Sequence, residues 1–167
     1  MKKLLLIVTL ALVTGFSYGQ KSHDTSGRNQ LNLGVGLSDW GIPVYIGIDH
    51  YINNDVTLGG EFSYRDYNEK WNQYYYDHSI MGFSGNANYH FNRILEIPSN
   101  WDFYAGLNLG FYVWSSPDNY PGNHNSGLGL GGQIGGRYYI SHKVALNLEF
   151  GGGNAFNGGK FGLTIKI

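Results

Sequence analysis

Residues 102–113 read Asp-Phe-Tyr-Ala-Gly-Leu-Asn-Leu-Gly-Phe-Tyr-Val, and two chemistries alternate along them without a break. Phe103, Ala105, Leu107, Leu109, Phe111 and Val113 take one parity, while Asp102, Tyr104, Gly106, Asn108, Gly110 and Tyr112 take the other. A period of two places the two sets on opposite faces of a β-strand. The pattern recurs upstream over 31–38, 44–49, 56–65 and 81–91, and downstream over 128–140, 144–150 and 161–167. Eight runs result, several reaching the ~9–11 residues that a tilted strand needs to cross a bilayer. The spacing predicts an all-β fold, an eight-stranded antiparallel up-and-down barrel. With the N-terminus on the inner side, the turns at 53–55, 92–100 and 141–143 lie inside. The loops at 39–43, 66–77, 115–126 and 152–159 lie outside, in keeping with short inner turns and longer outer loops.

The chain carries 14 Tyr, 9 Phe and 26 Gly with 14% charged residues, a composition that disfavours a helical bundle. A net charge of −1 leaves no footprint for nucleic acid, and the absence of Cys rules out disulfides and thiolate metal sites. Lys2 and Lys3 precede an apolar stretch over 4–13, and Ser17 and Gly19 stand at −3 and −1 of a cleavage point before Gln20. Residues 1–19 therefore read as a cleaved secretory signal peptide, 20–29 as a flexible lead-in and 30–167 as the barrel domain. Beyond residue 20 no run of eighteen apolar residues appears, so no transmembrane helix is expected.

Alternation alone does not say which face looks inward. A soluble lipocalin-type carrier of apolar ligands has the same period with its faces reversed. Charge decides in favour of a transmembrane barrel. The apolar faces of the runs carry no Asp, Glu, Lys or Arg, whereas Asp49, Glu61, Arg65, Asp102, Arg137, Glu149 and Lys166 share the other face with Gly, Asn and Tyr. A water-facing strand surface would hold more charge, lysine above all. Packed inside a narrow barrel, these seven residues form a lumen charge network of four acids and three bases. That filled lumen also argues against a diffusion pore. Trp40, Tyr64, Tyr67, Trp71 and Trp114 are expected in an outer aromatic girdle, and Tyr51, Tyr89, Phe91, Trp101 and Tyr138 in an inner one.

The stretch GLGLGGQIGGRYYISHKVALNLEF at 127–150 and the closing KFGLTIKI at 160–167 resemble the small bacterial outer-membrane β-barrel domain family. Arg137, Tyr138, Tyr139 and Glu149 occupy the places of its Arg-Tyr-Tyr step and its inward Glu. The likeness extends more loosely over 30–167 and, at fold level, to the outer-membrane protein X and outer-membrane protein A barrels. It implies an outer-membrane location, with membrane lipids and lipopolysaccharide as surroundings and the insertion machinery reading the C-terminal strand.

Candidates for chemistry are few. Adjacent His78 and Ser79 point to opposite strand faces, the wrong geometry for a catalytic dyad. His90 reads as a packed polar residue and His124 as a lone loop histidine. No close His/Asp/Glu cluster appears in the sequence, so neither metal nor cofactor is expected. The expected function is non-enzymatic, structural or through surface contacts by loops 66–77 and 115–126, with Tyr67, Trp71, Tyr74, Tyr75, Tyr76 and Tyr120 as contact residues. A lipid-modifying enzyme on the same barrel is the alternative.

Overall fold

The computed structural model describes residues 28–153 and 157–167. The signal-peptide reading of residues 1–19 lies outside the described residues. Eight strands follow in chain order: β1 (Asn29–Ser38), β2 (Val44–Tyr51), β3 (Val56–Trp71), β4 (Tyr74–His90), β5 (Trp101–Ser115), β6 (Gly127–Tyr139), β7 (Val144–Gly153) and β8 (Gly158–Lys166). Each pairs antiparallel with its chain neighbours, and β1 closes the barrel on β8 from Gln30↔Lys166 to Ser38↔Gly158. β1 begins at Asn29, one residue inside the expected lead-in.

Burial follows parity, with the usual chemistry inverted. Leu107 and Leu130 are 65% and 62% exposed, whereas Arg137 and Tyr104 are 1% and 2% exposed. Outward rows are Leu, Ile, Val and Phe; inward rows are Asn, Gln, Thr, Tyr and charge. Such a surface is stable against hydrocarbon and would associate in water. The wall is thin where the lumen is full: a methyl group at Gly135 would collide with the Tyr104 ring, so the absence of a side chain there admits the tyrosine.

Two expectations about connections are corrected. The outer loop at 66–77 is for the most part strand, because β3 and β4 stay paired from Asp66↔Ser79 to Trp71↔Tyr74. The reversal is a two-residue turn at Asn72 and Gln73, whose φ angles of 43° and 75° match the turn that suits twisted hairpins. Above Tyr64↔Met81 the outward residues become Asp66, Asn68, Lys70, Asp77 and Ser79. This change from apolar to polar marks the outer edge of the lipid belt. The expected loop at 152–159 is also shorter, since β7 runs to Gly153 and β8 starts at Gly158.

Arginine placed at Leu107 or Leu130 is expected to cost about 2–4 kcal/mol in lipid vesicles, as a charge facing mid-bilayer hydrocarbon. Asn108→Ser, one residue away and inward, loses one hydrogen bond to Gln133 (2.9 Å), for about 1 kcal/mol. Denaturant titration of the refolded chain reads both, and equal costs would invert the assignment of faces.

Candidate functional site

The lumen is held by two linked ion clusters. Toward the inner end Arg137 donates to Asp49 at 2.8 Å, to Gln30 at 2.6 Å and to Asp102 at 3.3 Å, with its guanidinium 4.6 Å from the centre of the Tyr104 ring. Asp102 also meets His90 Nδ1 at 2.7 Å, and His90 Nε2 meets Thr57 at 3.1 Å. Nearer the middle, Lys160 donates to Glu61 at 2.7 Å and pairs with Glu149 at 3.3 Å. Tyr104 joins the clusters by donating to Glu149 at 2.9 Å. The free space among these groups is about 30 Å³, water-sized and far short of a solute channel.

Of the seven charges read as a lumen network, Asp49, Glu61, Asp102, Arg137 and Glu149 meet in these clusters. Arg65 sits apart toward the outer end, donating to Ser38 Oγ at 3.1 Å and facing the rings of Trp40 and Tyr112 at 5.4 and 5.7 Å. Lys166 lies at the inner mouth, with its ammonium 3.9 Å from the Tyr139 ring. The cation at the centre is Lys160, which the sequence reading missed by starting the last strand at residue 161. Its parity with Thr164 and Lys166 was the available signal.

Five aromatic residues expected in the lipid girdles face inward instead, among them Trp71, which shares the parity of Glu69 and packs on Tyr120 at 6.2 Å. Tyr51 sits beside His90, with 4.9 Å between ring centres. Trp40, Tyr67 and Trp114 pack together over the outer end, Trp40 to Trp114 at 5.3 Å and Tyr67 to Trp114 at 6.3 Å. Tyr51 shares the parity of Asp49, Tyr67 that of Arg65 and Trp114 that of Tyr112, so pleat geometry turns all three inward. Around the inner end, Tyr89 with Phe91 and Trp101 with Phe103 and Tyr138 do form outward aromatic groups.

Above the Trp40–Tyr67–Trp114 floor is a polar cluster the sequence did not reveal. Glu69 from β3, His78 from β4 and His124 from the loop between β5 and β6 bring their ligand atoms within 4.8 Å of one another. This corrects the expectation of no close His/Asp/Glu cluster, and His124 is not alone. Its Nε2 lies 3.0 Å from Glu69 Oε2, and its ring stacks on Trp114 at 4.3 Å. Tyr120 donates to the same Glu69 oxygen at 2.6 Å. Those two hydrogen bonds, Tyr120's the larger, hold the Glu69 carboxyl below the usual carboxylate range. The Tyr120 hydroxyl is pushed up to about 12 by the same bond. Burial lowers the affinity of His78 for a proton.

Ser116 Oγ meets His78 Nδ1 at 2.9 Å, a serine–histidine contact across 38 residues that adjacency in sequence could not show. Glu69 lies 3.7 Å from the other ring nitrogen, outside hydrogen-bond reach, and is engaged by Tyr120 and His124. Among the described residues, no carboxylate lies within hydrogen-bond reach of His78. The expected contact residues divide in three: Tyr67 lies in the floor against Trp114, Trp71 and Tyr76 each pack on Tyr120, and Tyr74 and Tyr75 stand 71% and 67% exposed at the hairpin tip.

Closed topology, outward apolar belt and polar packed lumen define a small transmembrane β-barrel of the outer-membrane kind. No protein-family model and no curated protein matches the chain. Among solved structures, the outer membrane protein OprG from Pseudomonas aeruginosa superposes with a TM-score of 0.64 at 9% identity, over 85% of this chain and 96% of that one. The N-terminal β-barrel domain of Pseudomonas aeruginosa OprF gives 0.60 at 12% identity, over 86% and 100%. Neisserial surface protein A gives 0.56 at 17% identity, over 83% and 94%. At such identities the likeness establishes the fold alone.

Arg137→Met leaves Asp49 and Asp102 buried without their cation and is expected to cost about 3–5 kcal/mol. Combining it with Asp49→Asn and Asp102→Asn should restore much of that loss in vesicle unfolding. Were the triple variant no more stable than the single one, charge pairing would not be what holds the inner half of the lumen.

Proposed function

We propose that the chain is exported by its N-terminal segment and inserted into the bacterial outer membrane, where it acts as a non-enzymatic barrel presenting a surface-contact platform. The supporting observation is the β3–β4 hairpin. It continues six residues per strand beyond the lipid belt, roughly 20 Å of chain, and leaves Tyr74 and Tyr75 exposed on opposite faces of its tip. Amphipathic, rigid rings on a protruding element suit contact with other surfaces at low entropic cost. Membrane lipids and lipopolysaccharide surround the wall, and β8, before it pairs with β1, is the strand the insertion machinery reads. A soluble carrier reading is disfavoured because its apolar cavity would have to lie where the ion clusters are.

The Ser116–His78 contact keeps a lipid-hydrolase reading on the table as the second one. It lacks an orienting acid, and acyl release from purified lipid A that disappears in Ser116→Ala would establish it in place of the contact role.

Tyr74→Ser combined with Tyr75→Ser is expected to leave the heat-resistant barrel band unchanged on gels. Adhesion of expressing cells to one another and to protein- or polysaccharide-coated surfaces should fall severalfold. Unchanged adhesion with the hairpin so altered would remove the contact role. In planar bilayers the intact chain should show no steady conductance, and a stable open channel would contradict the packed lumen.

A further inference from the structure

The outer rim assembles three metal-ligand side chains from three separate elements. His124 Nε2 lies 3.0 Å, and His78 Nε2 3.7 Å, from Glu69 Oε2. A tetrahedral zinc ion with ~2.0–2.1 Å bonds keeps neighbouring ligand atoms roughly 3.3 Å apart. Both separations fall within a few tenths of an ångström of that spacing; the third, between the two histidine nitrogens, is within 4.8 Å, so the rings close toward each other by up to ~1.5 Å when an ion sits among all three.

His78 supplies a second, independent observation. It is 1% exposed, covered by rings at the rim, and its Nε2 has no hydrogen-bond partner. A buried polar atom left unpaired weakens a fold and calls for an explanation. The other ring nitrogen, Nδ1, meets Ser116 Oγ at 2.9 Å. With the proton on Nδ1 donated to that hydroxyl, a lone pair on Nε2 faces Glu69. Ligating histidines take this arrangement, one nitrogen tied to an outer acceptor and the other free for the ion.

We propose that Glu69, His78 and His124 form a binding site for a borderline divalent transition-metal ion, with Zn²⁺ as the representative. Two imidazoles and one carboxylate suit Zn²⁺, Cu²⁺ or Ni²⁺, whereas Ca²⁺ and Mg²⁺ require oxygen donors throughout. The fourth position falls beside Tyr120, whose hydroxyl is 2.6 Å from Glu69 Oε2 and 3.1 Å from His124 Nε2, and is completed by that oxygen or by water. An ion here ties the loop carrying Tyr120 and His124 to the β3–β4 hairpin and fixes it across the barrel mouth. The site does not depend on the contact role proposed above.

The test is calorimetric titration of ZnCl₂ into the tag-free chain, folded in detergent micelles and first stripped with chelator. One saturable site with a Kd below about 10 µM is expected. His78→Phe and His124→Phe, which retain a ring, and Glu69→Gln should each weaken binding at least tenfold. His142→Ala, on the exposed inner turn, should leave it unchanged. Heat-dependent gel mobility establishes that each variant is folded, and Glu69→Gln serves if a histidine variant is not. As a local readout, Cu²⁺ should quench tryptophan fluorescence through Trp114, stacked on His124, and do so far less in His124→Phe. Absence of saturable Zn²⁺ binding overturns the proposal. Folded ligand variants that bind like the parent, or loss of binding in His142→Ala, do so as well.

Discussion

A backbone crossing hydrocarbon finds no water to bond, so every N–H and C=O in the belt must be paired within the sheet. The pairing of β1 with β8 meets that demand by removing both edges, and the remaining features follow from closure. A barrel of eight strands leaves an interior that side chains nearly fill. With greasy residues drawn to lipid, the polar residues become the core and must satisfy one another. Arg137 is the extreme case: at full burial it is tolerable because Asp49, Asp102, Gln30 and the Tyr104 face surround it.

The scaffold divides its tasks by height. The inner and middle levels are ion-paired, with about 30 Å³ of free space among the clusters. Toward the outside the packing changes character. Arg65 meets the rings of Trp40 and Tyr112, and Trp40, Tyr67 and Trp114 then roof the lumen. Above that roof stand the histidines, Glu69 and Tyr120, followed by the free hairpin tip. Chemistry is thus set on a stiff base at the water interface, where ligands and ions have access.

Much of this was legible from period two. The faces of all eight strands, the placement of Arg137 and Asp102 in the lumen, and the fold class follow from which residues share parity. Errors arose where the signal thins. The hairpin extension has polar residues on its outward face, so its strands lack the apolar row that announced the others. Lys160 stands just past a glycine-rich stretch, where no side chains mark the start of β8. Residue type alone places Tyr67 and Trp114 in a lipid girdle, whereas their parity with Arg65 and Tyr112 turns them inward.

By itself, the sequence determined which side chains face lipid and which face the lumen, because a strand's alternation is a local property of its pleat. Which inward groups meet was decided only by tertiary structure. Glu69, His78, Ser116 and His124 are separated by up to 55 residues and by two strand crossings, and each looks unremarkable alone. Register and closure bring them to one level of the rim. Those depend on the hydrogen bonding of the whole sheet, which no short stretch of chain encodes.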